Sequence, residues 1–510
     1  MKMTIKIFLN ILNIILKAII VIVALSIQLA LLYFIFIYLQ RFQLLYYLVS
    51  SLAIIPAIKI YNSDQNISFK FSWILLILIV PYIGVIFYLF FGKGKTLPKR
   101  KANKVKDFFE NKLIYNDNID ELKDNDTHKY ATLLNSITRL PLYKNTQTKF
   151  INDGKMFFDN LIEDIKNAHE YIFLEYFIFS DGKDLETLKQ VLFQKADEGV
   201  EIKIIYDDIG SKKALKPKTV DEINSHKNIK MIGFNPIGLV FSLRLNYRNH
   251  RKIAIIDGKV AYCGGVNIAD EYTHKIEKFG FWRDNANRYI GDAIYSFLLI
   301  FISDWYMSTS EKLDFDFYKK SIVSVDGKNS YVFPFLEGPT IEKNPAYSLF
   351  SSLINNVDHT LYISTPYFII DKTFIDSLCF AAESGVDVRL LIPHIPDKKL
   401  VYFITCGHLG KLIKSGVRVY VYTPGFNHAK NFIIDDNVTF NGTINLDYRS
   451  LFLHFECGAL HIDEQLNKIM KEDFLKALNQ SEEISYEAWK KRSIFKKLIE
   501  FLSVLIAPLL

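Results

Sequence analysis

From about residue 130 onward, amphipathic helical patterns alternate with short apolar runs. Polar and apolar positions repeat with a helical period at 156–168 and at 183–198. The apolar runs at 171–179 and 200–208 have the length and residue types of buried strands. This alternation is typical of βαβ units and predicts an α/β fold.

The same order of elements recurs later in the chain. A helical pattern at 346–357 precedes an apolar run at 361–370, and another at 373–384 precedes a run at 386–394. The recurrence predicts two similar α/β halves. It extends to single residues, because Tyr171-Ile-Phe-Leu-Glu-Tyr-Phe177 aligns with Tyr362-Ile-Ser-Thr-Pro-Tyr-Phe368.

Two uncharged stretches near the N-terminus are long enough to cross a bilayer. Residues 18–39 carry no charge in 22 positions. A helix rises about 1.5 Å per residue, so this stretch spans a hydrocarbon core of roughly 30 Å. Residues 73–91 form the second stretch and contain Pro81, which membrane helices tolerate. The weaker apolar segment 42–60 either spans as well or lies at the interface, so two or three spans are expected.

Basic residues flank the apolar segments at both ends of the chain. Seven Lys or Arg residues and no acid lie between Lys93 and Lys106. The positive-inside rule places this stretch, and the chain after it, on the cytoplasmic side of the cell membrane. The same charges favour contact with anionic lipid. Residues 489–510 begin basic and end apolar, which suits a helix on the bilayer surface, with a buried terminal helix as the alternative.

Composition narrows the class of protein further. The chain has 510 residues, of which 50% are hydrophobic and 15% aromatic, which argues against disorder and allows sizeable cores. The net charge of +7 suits nucleic acid or anionic lipid. Because the basic cluster adjoins an apolar stretch, lipid is the expected partner and nucleic acid is not. Four cysteines without C-x-x-C or zinc spacing predict buried thiols rather than disulfides.

One constellation of polar residues occurs once in each half. The pattern H-x-K-x4-D-x6-G-x2-N appears twice, 178 residues apart. Its first copy is His250, Lys252, Asp257, Gly264 and Asn267, and its second copy is His428, Lys430, Asp435, Gly442 and Asn445. One copy would arise easily by chance, but two copies with equal spacing in matching repeats predict a functional site.

The spacing suits phosphoryl chemistry. A His and a Lys two apart on a strand point to the same face. Lys supplies positive charge for a phosphate, and His can attack phosphorus or move a proton. Two copies brought together would place two histidines around one phosphorus, one as nucleophile and one as proton donor. A metal site is the alternative, but the pattern lacks the ligand spacing of known metal sites.

These paired motifs resemble the signatures of the phospholipase D superfamily. Within it, the chain is similar to bacterial cardiolipin synthases over nearly its whole length. The flanking strings that carry this similarity include Pro81-Tyr-Ile-Gly84, Tyr206-Asp-Asp-Ile-Gly-Ser211, Asn246-Tyr-Arg-Asn-His-Arg-Lys252, Phe281-Trp-Arg-Asp284, Ser364-Thr-Pro-Tyr-Phe368, Asn445-Leu-Asp-Tyr-Arg-Ser450 and Glu456.

The resemblance implies a two-step exchange without cofactor or metal. One histidine would attack phosphatidylglycerol, release glycerol and carry the phosphatidyl group. A second phosphatidylglycerol would then displace the enzyme and give cardiolipin. By analogy His250 is the nucleophile and His428 the acid and base, an order that the residues alone leave open. Lys252 and Lys430 would bind phosphate.

The resemblance also assigns the remaining candidate residues. Asp257 and Asp435 carry over as members of the catalytic motif, although their place after a strand suggests an orienting role. Substrate-binding or supporting roles fall to Asn267, Asn445, Glu456, Gly264, Gly442 and Asp284. For Glu456, orienting a histidine and forming a structural ion pair are both open. One departure concerns Asn285 and Ala286, which stand where family members usually carry Thr-His.

The expected architecture is α/β, with N-terminal transmembrane helices followed by two duplicated phospholipase D-like halves that form one catalytic unit. The expected boundaries are an anchor at 1–92, a basic linker at 93–135, halves at 136–320 and 321–485, and a membrane-contacting segment at 486–510. A phospholipase D or a phosphatidylserine synthase would use the same chemistry with water or serine as acceptor. A lipid-binding scaffold is the non-enzyme alternative, and two intact motifs argue against it. The sequence does not indicate the oligomeric state.

Overall fold

The computed structural model describes residues 51–63, 65–92, 117–236, 247–327 and 330–509. The chain divides into two compact units, Met1–Gly92 and Lys93–Leu510. The predicted span at 18–39 and the basic stretch that begins at Lys93 lie outside the described residues.

The described part of the first unit is helical. Its helices are α1 (Ile54–Tyr61), α2 (Ile67–Ile79) and α3 (Pro81–Phe87), followed by a π-helical turn at Tyr88–Gly92. The apolar stretch 73–91 is divided at Val80, whose extended φ of −132° ends α2, and Pro81 begins the next helix without needing a hydrogen-bond donor. Among the described residues, no helix combines the length and apolar character that crossing a membrane requires.

The described part of the second unit begins with an α/β half built on one mixed sheet. Its strands are β1 (Thr146–Ile151), β2 (Tyr171–Tyr176), β3 (Glu201–Asp207), β4 (Ile229–Phe234), β5 (Lys252–Ile256), β6 (Val260–Gly264), β7 (Phe281–Arg283) and β8 (Ala286–Gly291). Its helices are α4 (Asn125–Thr138), α5 (Gly154–Lys166), α6 (Lys183–Asp197), α7 (Asp208–Ser211), α8 (Pro217–Asn224), α9 (Ile294–Thr309) and α10 (Phe315–Tyr318). The helices predicted at 156–168 and 183–198 are thus confirmed.

A second α/β half follows. Its strands are β9 (Tyr331–Glu337), β10 (Thr360–Ser364), β11 (Phe368–Ile369), β12 (Asp387–Pro393), β13 (Arg418–Tyr422), β14 (Gly425–Asn427), β15 (Asn431–Ile434), β16 (Val438–Gly442), β17 (Leu446–Asp447), β18 (Glu456–Ile462) and β19 (Ser481–Glu483). Its helices are α11 (Pro345–Asn355), α12 (Lys372–Glu383), α13 (Lys399–Lys414), α14 (Tyr448–Phe452), α15 (Glu464–Leu478), α16 (Tyr486–Lys490) and α17 (Ile494–Ile506). The run predicted at 361–370 is split, because β11 leaves the main sheet and pairs with β17.

The two large sheets repeat one strand order. The first reads β1-β8-β6-β5-β2-β3-β4, and the second reads β9-β18-β16-β15-β10-β12-β13 with β19 added at its edge. In both sheets three parallel strands adjoin an antiparallel group. The predicted duplication is therefore confirmed in the topology as well as in the motifs.

The central core lies between these sheets. Helix α9 reads IYSFLLIFISDWYMST, and twelve of its sixteen residues are buried. An apolar surface on every side is what a helix needs when it is covered all around. It packs against β5 and β6 of the first half and β9 of the second. Strands β5 and β15 are buried at every position, as their continuous apolar runs predict.

Candidate active site

The two signature histidines stand at equivalent points, one residue before Arg251-Lys252 and Ala429-Lys430. Each is fixed by backbone pairing with the opposite half. The backbone N–H of His250 donates to the carbonyl of Phe455 at 2.8 Å, and the N–H of His428 donates to the carbonyl of Arg283 at 2.7 Å. Strand β14 runs parallel to β7 beside this second contact. The backbone thus locks each motif against a strand end of the other half.

This crossed pairing brings each histidine to a carboxylate of the opposite half. His250 Nδ1 lies 2.9 Å from Glu456 Oε2, and His428 Nδ1 lies 2.6 Å from Asp284 Oδ2. A carboxylate that accepts a hydrogen bond from Nδ1–H keeps the ring proton on Nδ1, which leaves the Nε2 lone pair free. Each half therefore completes the acid–histidine pair of the other.

Burial sets the charge state of these groups. It lowers the pKa of His250 well below its usual value, with Lys252 and Lys430 adding to the effect. It lowers the pKa of His428 to about 4, reinforced by Lys430 and opposed by Asp284. Burial raises the pKa of Glu456, while neighbouring His454 and Lys252 oppose that shift. Both signature histidines are therefore neutral at physiological pH, the form that has a free lone pair.

The signature lysines are buried beside the histidines. Lys252 Nζ donates to the carbonyl of His250 at 2.7 Å, and Lys430 Nζ donates to the carbonyl of His428. Burial lowers the pKa of Lys252 to about 8 and that of Lys430 to about 7, against the opposing charges of Glu456 and Asp284. Lys252 and Lys430 both contribute to the lowered pKa of His250, so the two motifs lie near one another.

The structure places Asp257 and Asp435 at the far ends of the motif strands, away from the histidines and lysines. Each lies five residues after the lysine of its motif, which is about 16 Å along the strand at about 3.3 Å per residue. The Asp257 carboxylate accepts from the backbone N–H groups of residues 169–171, and Asp435 accepts from those of residues 358–360. Both adopt positive φ, 52° and 47°. They tie the far ends of the motif strands to β2 and β10.

The glycines of the motif allow close packing of neighbouring strands. A Cβ on Gly264 would lie 2.3 Å from Ala286 Cα, and one on Gly442 would lie 2.5 Å from Gly458 Cα. Only glycine permits the neighbouring strand to approach this closely.

The asparagines of the motif are buried. Asn267 Oδ1 accepts from the Ile178 N–H at 3.0 Å, and its Nδ2 donates to the Tyr272 hydroxyl at 2.6 Å. The Tyr272 ring in turn lies 5.6 Å from the His428 ring. Asn445 is 4% exposed, and its Oδ1 has no hydrogen-bond donor among the described residues. Asn267 thus supports the wall of the site, while Asn445 keeps a polar atom available.

Asn285, which departs from the usual Thr-His pair, forms a hydrogen bond between the two halves. Asn441 Nδ2 donates to Asn285 Oδ1 at 2.8 Å and to Asn431 Oδ1 at 2.7 Å. At the equivalent point on the other side, Cys263 Sγ lies 3.5 Å from Cys457 Sγ. Asn285 therefore packs behind the site.

Three residues that form hydrogen bonds around the site were not among the residues predicted from the sequence. An asparagine precedes the histidine in both motifs, and this repeated Asn-His was the available signal. Asn249 Nδ2 donates to Glu175, and Asn427 Oδ1 accepts from Arg283 Nη1 at 2.9 Å. Thr443 Oγ1 donates to Glu456 Oε2 at 2.5 Å, and no sequence pattern distinguished it.

A third imidazole also lies in the site. The His454 ring is 5.7 Å from the His250 ring, and its Nδ1 lies 3.6 Å from Glu456 Oε1. Among the described residues, His250, His454 and Glu456 form the one group of three side chains whose ligand atoms, within 4.8 Å of each other, could hold a metal ion. No sequence pattern pointed to this group.

Comparison with protein families agrees with the duplicated architecture. A family model described as "Cardiolipin synthase, PLD-like domain" matches residues 161–285 and again 350–478, one match in each half. A model described as "Phospholipase_D-nuclease N-terminal" matches residues 51–93.

Individual relatives extend the match along the chain. A cardiolipin synthase of Alkalihalophilus pseudofirmus is 33% identical over 89% of this chain and 91% of its own length. One of Staphylococcus aureus strain Mu50 is 34% identical over 88% of this chain and 93% of its own. The solved phosphatidylserine synthase of Haemophilus influenzae Rd KW20 shares the fold, with a TM-score of 0.58 and 17% identity over 76% of this chain and 100% of that one. The chain belongs to the cardiolipin synthase family of phospholipase D-like proteins.

Proposed function

We propose that this phosphatidyltransferase converts two phosphatidylglycerol molecules into cardiolipin and glycerol. The crossed pairing of His250 with Glu456 and of His428 with Asp284 carries this proposal. It supplies two neutral imidazoles, each oriented by a carboxylate, beside two lysines. Such a site can form and break a bond to phosphorus by covalent exchange.

The first step forms the phosphatidyl-enzyme. The Nε2 lone pair of His250 attacks phosphorus, and the P–O bond to the glycerol headgroup breaks. Binding of the negatively charged phosphate raises the pKa of His428, so its Nε2 takes up a proton from water before the reaction. The leaving oxygen then takes this proton. Lys252 and Lys430 stabilise the charge that develops on the phosphoryl oxygens.

The second step reverses the first with a new acceptor. The glycerol hydroxyl of a second phosphatidylglycerol gives its proton to His428. Its oxygen attacks phosphorus, the P–N bond to His250 breaks, and cardiolipin leaves. The enzyme then returns to its starting protonation state, so the cycle balances without cofactor.

We also propose that the chain is held at the membrane by its N-terminal apolar segments, with the catalytic unit on the cytoplasmic side. The uncharged stretch 18–39 and the basic run from Lys93 support this topology. Carbonate extraction of membranes tests the anchoring, and release of the chain by carbonate would contradict it. Labelling of single cysteines placed in the catalytic unit tests the side, and labelling from outside intact cells would contradict it.

Helix α17 is proposed to rest on anionic lipid. Its outward face exposes Ile494 at 85%, Phe495 at 72% and Phe501 at 63%. Its inward face packs on α13, and Glu500 forms a buried ion pair with Arg492 at 2.6 Å. Lysines at 490, 491, 496 and 497 flank the apolar face, as in helices that bind anionic bilayers. Replacing Phe495 and Phe501 with Ser should reduce pelleting with phosphatidylglycerol vesicles, and unchanged pelleting would contradict this contact.

Product analysis tests the reaction itself. Purified protein receives phosphatidylglycerol alone in mixed micelles, with a chelator present, and lipids are identified by mass. Cardiolipin with an equimolar amount of free glycerol is the expected result. Phosphatidic acid as the only product would mean that water is the acceptor and would overturn the synthase assignment.

A further inference from the structure

The two half-sites differ at one position that faces the signature histidine. Trp282 and His454 each lie two residues before the carboxylate that crosses to the other half, Asp284 or Glu456. The Trp282 ring lies 5.4 Å from the ring of His428, and the His454 ring lies 5.7 Å from that of His250. The same point of the fold thus holds an indole in one half-site and a third imidazole in the other.

The proposed exchange reaction assigns no role to His454. It is 9% exposed, and neither of its ring nitrogens makes a hydrogen bond within the described part of the chain. Glu456 Oε1, the carboxylate oxygen that it faces at 3.6 Å, also makes none there. A buried imidazole and a buried carboxylate oxygen without hydrogen bonds normally require a partner.

The missing partner matches the chemistry of a zinc-type ion. One imidazole lies near each oxygen of the Glu456 carboxylate. His250 Nδ1 is 2.9 Å from Oε2, and His454 Nδ1 is 3.6 Å from Oε1. Zinc bonds of about 2.0–2.2 Å at tetrahedral angles separate ligand atoms by roughly 3.4 Å. Two imidazoles and a carboxylate form a set that binds zinc and leaves a fourth position open. Small movements of these three side chains would therefore form the site.

We propose that His250, His454 and Glu456 form an inhibitory site for a divalent ion of the zinc type. Bound at His250 Nδ1, the metal takes the place of the proton donated to Glu456. A neutral imidazole must then carry its proton on Nε2. The nucleophilic lone pair of the exchange reaction is lost, so metal binding and catalysis exclude each other. The half-site of His428 cannot respond in this way, because an indole offers no lone pair to a metal.

A zinc titration of the full-length enzyme tests this site. Cardiolipin formation is measured at buffered free Zn2+, relative to the metal-free activity of each variant, for wild type, His454→Asn and His454→Gln. His359→Asn, which removes an exposed imidazole outside the site, is the matched control. Zinc should inhibit the wild type and the control, and a chelator should restore activity. Both His454 variants should need at least about tenfold more zinc, because each loses one ligand.

Selectivity and direct binding complete the test. Mg2+ and Ca2+ at the same free concentrations should not inhibit, since imidazole ligands favour later transition metals. Equilibrium dialysis should find one tightly bound Zn2+ per wild-type chain and none in either His454 variant. Equal zinc sensitivity, or equal binding, in wild type and His454 variants would overturn the proposal. Inhibition rests on the proposed exchange reaction, whereas dialysis does not, so an inactive enzyme that binds zinc through His454 would refute only the reaction.

Discussion

The half-sites around His250 and His428 share a backbone plan and differ in the side chains that surround the imidazole. Both histidines precede a buried strand, and both take their carboxylate from the opposite half. The first uses Glu456, whose carboxylate also accepts a hydrogen bond from the Thr443 hydroxyl and faces His454. The second uses Asp284, and the aromatic rings of Tyr272, Trp282 and Phe426 lie around the His428 ring.

This difference indicates how a duplicated fold supports two chemical roles. In the proposed reaction, equal backbone geometry brings two imidazoles to one phosphorus. Unequal surroundings can then give one of them the nucleophilic role and the other the proton-transfer role. Because the carboxylates cross, neither half is complete alone, and both copies must be retained.

The largest loss of activity is expected when either signature histidine is replaced, and a second substrate separates the roles of the two. His250→Ala and His428→Ala should each reduce cardiolipin formation by at least about 10³-fold, as measured by lipid mass analysis. With a p-nitrophenyl phosphatidyl ester, whose leaving group needs no proton, His428→Ala should still release one equivalent of nitrophenol and His250→Ala none. His359→Ala is the control. Equal bursts from both variants would remove the distinction between the half-sites.

The crossed carboxylates should rank next. Glu456→Gln and Asp284→Asn keep the size of each side chain but remove the charge that orients an imidazole. Each should lower the rate of cardiolipin formation by about 10²-fold. With the nitrophenyl ester, Glu456→Gln should slow the burst and Asp284→Asn should spare it. A wild-type rate in either variant would show that the pairing does not serve catalysis.

The motif aspartates should affect folding rather than chemistry. In each half, a carboxylate accepts hydrogen bonds from three backbone N–H groups. Asp257→Asn and Asp435→Asn replace it with an uncharged amide, which has one acceptor oxygen fewer. Each should lower the free energy of unfolding by about 1–3 kcal/mol, as followed by thermal unfolding in detergent. Asp436→Asn, at an exposed neighbour, should change little. Full stability with lost activity would instead return these aspartates to the reaction.

The contacts behind the half-sites should also affect stability, and the smallest effect of all should come from Cys263→Ala. Asn441→Ala leaves the buried amide oxygens of Asn285 and Asn431 without their donor and should cost about 1–3 kcal/mol of unfolding free energy. Cys263→Ala, at the equivalent point, removes a weak sulfur contact and should cost about 1 kcal/mol or less. A larger loss from Cys263→Ala than from Asn441→Ala would reverse this ranking.

Local patterning was enough to predict much of the fold. The period of apolar positions gave the helices at 156–168 and 183–198, and the repeated motif gave the duplication. It did not reveal the break at Val80, where Pro81 starts a new helix inside a continuous apolar stretch. Hydropathy measures apolar character but is insensitive to such a change of backbone direction.

Only the site residues that belong to the repeated motif could be predicted from the sequence. The histidines and lysines were identified from spacing, but spacing grouped Asp257 with them although it lies at the other end of the strand. The pairing of His250 with Glu456 joins residues 206 positions apart. Such partners depend on how the sheets pack, which no local pattern encodes. His454 was missed for the same reason.

The most direct test locates the covalent intermediate. Wild-type enzyme is mixed with phosphatidylglycerol labelled at phosphorus, quenched in alkali within one turnover and digested. Because phosphohistidine survives alkali, the label should be recovered on the peptide that contains His250 and should be absent from the His250→Ala variant. Label on the His428 peptide would reverse the assigned roles, and the absence of any labelled peptide during active turnover would contradict the covalent mechanism.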